Sequence, residues 1–432
     1  MSSVGTWRAA LRRRVGTSRS ASRRVTPPEC ASRGRGGRFG GVSRRAHVRL
    51  RSVGSWSGRR TAAARHREDV PLSESPTTPQ RRALVVGATG IVGQAVARRL
   101  VEEGWETYGL SRSGTSPHPD VRPVRADLGD ADGLAEALAD VRPDFVAITA
   151  WTRMETEAEN IRVNGGAVRD LLAALSPGGS VRHVALMTGL KHYLGPFEAY
   201  GKGEMPDTPF HEDEPRLPYP NFYYAQEDEL FAAAERHGFT WSVHRSHTVF
   251  GFATGNAMNM VATLCAYASL CRETGRPFVF PGSEQQWNGL TDVTDADLLA
   301  EQMTWAASTP AGQDEAFNTA NGDVFRWRWL WPQVAAWFDL EWEGYADAPR
   351  TLDDSMADAE PVWRRLAADH GLVEADLSRV ASWWHSDADL GREMEVVTDM
   401  NKSRTAGFSA TRDTRAAFFD YAQRYRDARI IP

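Results

Sequence analysis

The stretch Ala83-Leu84-Val85-Val86-Gly87-Ala88-Thr89-Gly90-Ile91-Val92-Gly93 constrains this chain more than any other. Four apolar residues read as a buried strand. Glycines then follow at three-residue spacing, and Ile91, Val92, Ala95, Val96 and Leu100 recur at helical spacing. Between a strand and a helix, that glycine pattern has a mechanical meaning. The first glycine permits a tight turn, and the second lets a pyrophosphate approach the backbone. The third lets the helix pack closely on the strand, while the helix N-terminus offers donors and a positive dipole end. The segment predicts dinucleotide binding by Gly87, Thr89, Gly90, Ile91, Val92 and Gly93, against the plainer alternative of a tight turn with no ligand.

Further strands are expected at Thr107–Leu110, Val121–Arg125, Phe145–Thr149 and Val184–Met187, with helical segments between them. Strand and helix alternating at these lengths imply parallel βαβ units with right-handed crossovers. The predicted fold class is therefore α/β, a Rossmann-type doubly wound parallel sheet. Beyond residue 250 the pattern turns helical and tryptophan-rich, through Trp327, Trp329, Trp331, Trp337, Trp363, Trp383 and Trp384. Most of these are expected in the core of a smaller, mostly helical C-terminal substrate lobe. The expected organisation is an Arg-rich extension over 1–78 and a catalytic domain over 79–432. Within the latter, 79–250 is mainly nucleotide-binding and 251–432 mainly substrate lobe.

The strand ends argue for a particular dinucleotide. NAD binders place Asp or Glu after the second strand to hold the ribose 2′-hydroxyl. Here the residues are Ser111, Arg112 and Ser113, and a guanidinium attracts a 2′-phosphate that a carboxylate would repel. NADPH is the expected cofactor. Asp127 and Leu128 close the third strand where an adenine would lie, although Asp127 could equally cap a helix. Ala150 and Thr188 sit at strand C-terminal ends, where cofactors lie in such sheets.

Composition sets the remaining bounds. Residues 1–70 hold 18 arginines and no lysine against three acids, a local charge of +15 within a chain of net charge −5. Such a start has too little apolar content to fold. It reads as a disordered tail or an over-long start, with a transit peptide or a nucleic-acid arm as further readings. Cys30, Cys265 and Cys271 form neither a metal-ligand spacing nor a disulfide framework, as in a cytoplasmic protein. No apolar run approaches the ~20 residues that cross a bilayer. The sequence predicts no metal, no nucleic-acid partner and no membrane association.

The catalytic reading turns on lysine. The chain has only three, Lys191, Lys202 and Lys402, against 48 arginines. A cofactor domain followed by substrate helices suggests an extended short-chain dehydrogenase, which normally carries Tyr-x-x-x-Lys on one helix. No tyrosine here is followed by lysine at that spacing. Tyr200 and Lys202 are two apart, and Tyr223 meets Glu227.

The motifs "TGLKHYLGPFEAYG", "NFYYAQEDEL", "WSVHR…VFGF", "MNMVATLCAYASLCRETG", "FNTANGDVFRWRWLW" and "MNKSRTAGF" explain the departure. Together they resemble the progesterone 5β-reductase/iridoid synthase family of enone reductases, from about residue 82 onward. The resemblance implies that the catalytic lysine is Lys191, after a central strand, and that the tyrosine is Tyr223, opening the next helix. It implies 1,4-reduction of an α,β-unsaturated ketone or aldehyde by NADPH. Tyr223 would stabilise the enolate oxygen, and Lys191 would support Tyr223 and the cofactor ribose. An ammonium within ~4–6 Å lowers a phenol from its usual pKa near ~10 by about one to three units.

Trp151 and Phe197 match aromatic pocket positions of the family, Val249 a backbone contact to the cofactor. Tyr224 is expected to pack. His192 and His247 are either proton donors or satisfied loop histidines. Where the family has Arg-Pro after the sixth strand, this chain has Arg245-Ser246, which puts the cofactor grip in question. A small-molecule enone is the expected partner, with a homodimer possible. Rival readings are a carbonyl reductase or sugar-nucleotide epimerase on the same fold, or a non-catalytic NADP-binding redox sensor. A sensor would need neither Lys191 nor Tyr223.

Overall fold

Seven parallel strands carry the fold: β1 Arg82–Val86, β2 Glu106–Ser111, β3 Val121–Arg125, β4 Phe145–Ile148, β5 His183–Gly189, β6 Thr240–Ser246 and β7 Glu315–Thr319. Their order in the sheet is β7-β6-β5-β4-β1-β2-β3. In this computed structural model residues 80–116, 118–196, 206–256 and 258–432 are described. The extension 1–78, Phe197 and Lys202 lie outside the described residues.

The sheet is covered on both faces, which is why β1 and β4 read as unbroken apolar runs rather than alternating ones. One face buries Ala83, Val85, Val96, Leu299 and Met303 between the sheet and helices α1 (Ile91–Glu102) and Ala296–Ser308. The other buries Leu84, Val86, Leu134, Val168 and Leu230 under α2 (Ala131–Leu138), α3 (Glu157–Leu175) and α5 (Phe222–His237). Between β5 and α5 a single helical turn, α4, spans Lys191–Leu194. Strand order reverses between β1 and β4, so a crevice opens beyond their C-terminal ends, the usual ligand position in such sheets.

Two strand ends differ from expectation. β5 continues past Met187, because Thr188 and Gly189 pair with Arg245 and Ser246 of β6. β4 stops at Ile148, and Thr149 instead turns its hydroxyl to donate to the Val86 carbonyl at 2.8 Å. The sheet also draws β7 and the helix Ala296–Ser308 from beyond residue 250.

The rest of the C-terminal half forms a second core around α6 (Met260–Thr274), where Trp331 stacks on Phe278 with ring centroids 4.0 Å apart. Trp327, Trp331 and Trp363 are buried in this core. Trp337 and Trp383 pack against it, and Trp329 and Trp384, 50% and 38% exposed, are the two of the seven that lie outside it.

A chain of buried hydrogen bonds crosses the sheet. His183 reaches Thr240 and Ser242, Ser242 reaches His244, and His244 reaches Gln302. Burial, reinforced by the charge of His244, pushes His183 down to about 3, and burial pushes His244 down to about 4. In the unfolded chain both protonate near 6.5. The folded state is therefore favoured fully above that value. It loses stability as pH falls from about 6.5 towards about 4, because the unfolded chain takes up protons that the folded one refuses. Urea midpoints should fall across this window, and His244→Asn should flatten the slope by about one proton.

Candidate active site

The crevice begins at the glycine turn. Gly87 has φ 85°, and a Cβ there would stand 2.7 Å from the Ala150 Cβ. A Cβ on Gly93 would lie 2.1 Å from the Gly87 carbonyl oxygen, so only glycine lets α1 start this close to the turn. Gly90 caps α1 without a side-chain hydrogen bond, and the first turn holds no acid. The amide donors and positive dipole end of the helix thus face the cleft uncompensated, as an anionic pyrophosphate requires. Thr89, Ile91 and Val92 line the same cleft.

Ser111 is buried at the end of β2 and Arg112 is exposed, and both line the cleft with Asp127 and Leu128. Asp127 is not the helix cap: its Oδ1 accepts from the Gly129 amide, and Asp130 caps α2 by accepting from Gly133. After β4, Trp151 stacks on Phe222 at 4.8 Å. Thr188, Trp151, Ala150 and Val249 line the cleft too. Thr188 Oγ1 is buried with no hydrogen-bond partner among the described residues. These features fit a bound dinucleotide: a cradle that side chains would fill, an open helix end and an unsatisfied hydroxyl.

The lysine and tyrosine arrive on the same cleft from different elements. Lys191 lies just past the end of β5. It opens the turn α4 and is only 4% exposed, with Nζ 5.5 Å from the centroid of Phe222. Tyr223 lies in the first turn of α5.

Asn221, buried and unanticipated from the sequence, joins the two. Its Oδ1 accepts from the amides of Tyr223 (3.0 Å) and Tyr224 (3.2 Å), while its Nδ2 donates to the Lys191 carbonyl at 3.3 Å. Tyr224 does more than pack, since its hydroxyl donates to the His192 carbonyl at 2.8 Å and locks α5 to α4. Gly189 supplies room: a Cβ there would lie 3.2 Å from Tyr223 Oη and 2.7 Å from the Ser246 carbonyl oxygen.

The two histidines are each held through Nε2, while Nδ1 of each is buried with no hydrogen-bond partner among the described residues. His192 bonds the Glu214 carbonyl, and burial pushes it down to about 4, so it stays neutral. His247 lines the cleft but is paired with Asp292.

Residues 145–432 match the PRISE-like Rossmann-fold domain family, and residues 81–181 match the RmlD substrate binding domain. The chain belongs to the PRISE-like Rossmann-fold family. Among its PRISE-like relatives, (S)-8-oxocitronellyl enol synthase of Camptotheca acuminata is 37% identical over 391 residues, covering 87% of this chain and 99% of its own. The 3-oxo-Delta(4,5)-steroid 5-beta-reductase of Arabidopsis thaliana is 37% identical over 390 residues, with the same coverage. UDP-glucose 4-epimerase of Thermus thermophilus, solved with NAD, has a TM-score of 0.57 at 18% identity, covering 80% of this chain and 99% of its own. That likeness concerns the fold alone.

The C-terminal lobe of this PRISE-like chain also reaches the cleft. Helix α7, Trp383–Leu390, contributes Trp384, His385 and Asp389, and Arg392 follows it. The sequence carried a partial signal for this set: His385 and Asp389 fall at i and i+4 on one helix face, and Arg392 lies just past the helix end.

Removing a side-chain N-cap costs about 0.5–2 kcal/mol. Asn221→Ala should lose at least about that much in urea unfolding, while Asn221→Asp, which keeps the cap acceptor but loses the donor to the Lys191 carbonyl, should recover only part of it.

Proposed function

We propose that this chain catalyses NADPH-dependent 1,4-reduction of the C=C bond of α,β-unsaturated ketones or aldehydes. The observation that carries this reading is the meeting of Lys191 and Tyr223 on the dinucleotide crevice, despite the 32 residues between them. The two relatives, named as an enol synthase and a steroid 5-beta-reductase, support it.

In this reading the nicotinamide supplies a hydride. Tyr223 donates a hydrogen bond to the substrate carbonyl oxygen, where charge accumulates as the enolate forms. The Lys191 ammonium favours charge on that oxygen side of the site, and its rotatable donors suit ribose hydroxyls. Solvent or a second donor then protonates the α-carbon. Trp151 supplies an apolar wall. Arg112, exposed at the end of β2 with no carboxylate at Ser111 or Ser113, supports preference for the 2′-phosphate. The free, buried Cys265 and Cys271 suit a reducing cytoplasm, and among the described residues no helix is long and apolar enough to cross a membrane.

The test follows NADPH absorbance with 2-cyclohexen-1-one and a panel of enones. Tyr223→Phe should lower kcat by about 100-fold or more, the usual effect of losing an oxyanion donor. Lys191→Ala should lower kcat and raise the KM for cofactor. No enone-dependent oxidation by wild type would overturn the reading, as would an unchanged rate in Tyr223→Phe.

A second measurement concerns the cofactor. A hydrogen bond to a charged group contributes about 1.5–3 kcal/mol. Arg112→Ala should therefore weaken NADPH about 10- to 100-fold while leaving NADH nearly unaffected.

A further inference from the structure

An enolate held at Tyr223 still needs a proton on its α-carbon, and the cleft offers few groups able to give one. Lys191 and Tyr223 serve the oxygen side. Arginine keeps its protons in proteins, which removes Arg112 and Arg392. Asp127 stands at the end of β3, where its Oδ1 accepts from the Gly129 amide. Burial alone would raise Asp389, but Arg392 and His385 hold it below the usual carboxylate range, so it acts as an acceptor. Two imidazoles remain on the cleft among the described residues, His247 and His385.

The two differ in what holds them. His385 Nε2 stays 3.9 Å from Asp389 Oδ2, beyond hydrogen-bond reach, and burial lowers its hold on a proton. His247 Nε2 is bonded to Asp292 Oδ1, with side-chain exposures of 3% and 2%. Asp292 is fixed in turn, since its Oδ2 accepts from the Thr398 amide at 2.8 Å and its Oδ1 from the Thr398 hydroxyl at 3.3 Å. The His247 amide donates to Thr294 Oγ1 at 3.2 Å, so backbone and ring are both anchored.

A carboxylate only accepts, so the bonded Nε2 carries a proton and Nδ1 is the nitrogen left for chemistry. That Nδ1 is buried with no hydrogen-bond partner among the described residues. A carboxylate bonded to one ring nitrogen orients the imidazole for proton transfer at the other. The neighbourhood also fits. A Cβ on Gly189 would meet both Tyr223 Oη and the Ser246 carbonyl oxygen, so the phenol and the peptide leading into His247 crowd one point.

We propose that His247, oriented by Asp292, is the second donor and protonates the α-carbon. This rests on the enone-reductase reading. The Nδ1–H bond of the imidazolium breaks as the enolate electron pair forms the α-carbon–hydrogen bond, and the oxygen returns to a carbonyl. The ring is left neutral with its Nε2 proton towards Asp292, and water in the cleft returns a proton to Nδ1 before the next turnover. An anchored donor delivers to one face of the enolate, so the protein sets the stereochemistry at the α-carbon.

The test is reduction of 2-methyl-2-cyclohexen-1-one, whose product has its stereocentre at the α-carbon, with the enantiomers separated at early times. Wild type should favour one enantiomer about tenfold or more, within the ~10²–10⁴-fold advantage of a positioned acid over water. His247→Gln, which offers Asp292 a donor but no transferable proton, should bring the ratio towards even while calorimetry still shows NADP+ binding. His247→Gly should lower kcat about 100-fold and regain part of it with added imidazole, which keeps the test open if the glutamine variant folds poorly. A purely structural role would move neither the enantiomer ratio nor the imidazole response. An even ratio in wild type, or the wild-type ratio surviving in a variant that binds NADP+, would overturn the donor while leaving the reductase reading intact. No enone-dependent NADPH oxidation by wild type sinks both.

Discussion

A lysine buried to 4% exposure is the constraint around which the rest of the cleft is arranged. An ammonium withdrawn from water is costly unless its surroundings replace the lost hydration. Around Lys191 those surroundings are fixed by short-range packing: the Phe222 ring within cation–π reach, and Asn221 bonded to its carbonyl. An arginine would bring a wider planar fork with five donors to satisfy, and this chain otherwise uses arginine sixteen times more often. The compact point charge fits where the fork does not. The buried position ties the lysine to a strand end, since a side chain with four rotatable carbons reaches a fixed point only if its backbone is fixed first.

The backbone is fixed by contacts that bridge elements distant in sequence. Asn221 spans α4 and α5, and Tyr224 repeats the link one residue on. The lobe is held by the same device. In the C-terminal helix Thr414–Asp427, the Tyr425 hydroxyl accepts from the Ala253 amide and Asn259 Nδ2 and lies 2.9 Å from the Gly251 carbonyl. That junction sets the path of the segment running from β6 to α6, from which Thr254, Gly255, Asn256 and Met258 reach the cleft. The last residues of the chain thus shape a wall of a site whose first residue is Gly87.

How much of this could be read from the sequence depended on distance along the chain. The glycine turn was legible because strand, turn and helix are contiguous and each glycine has a local steric reason. The parallel sheet followed from periodicity. Its last strand was less visible, since Glu315–Thr319 joins the sheet from beyond residue 250. Spacing rules alone offered no partner for Lys191, and its pairing with Tyr223 came from family resemblance, because 32 residues and a helical turn intervene. Asn221 and Gly189 carry no signal of their own. An N-cap is a common role for asparagine, and a glycine required by a neighbouring ring is indistinguishable in sequence from one required by a turn. Most of the tryptophans were read as core, which holds for Trp331 and Trp363, whereas Trp384 is exposed, because helix packing decides which face of α7 meets the cleft.

Ser246 stands where the family resemblance implies a proline. A proline would fix φ in the segment approaching the nicotinamide position and would remove an amide donor. Serine restores the freedom, yet here it is the last rung of β6, paired with Gly189 and 3% exposed. Its hydroxyl donates to the Thr188 carbonyl at 3.3 Å, adding a side-chain tie across the rung. The ladder and that bond therefore supply the restraint that the pyrrolidine ring would otherwise impose. The strain reappears two residues later, at Thr248, where Asp389 and Arg392 hold the side chain. The grip on this segment thus comes from the β6 ladder and from polar contacts of the lobe.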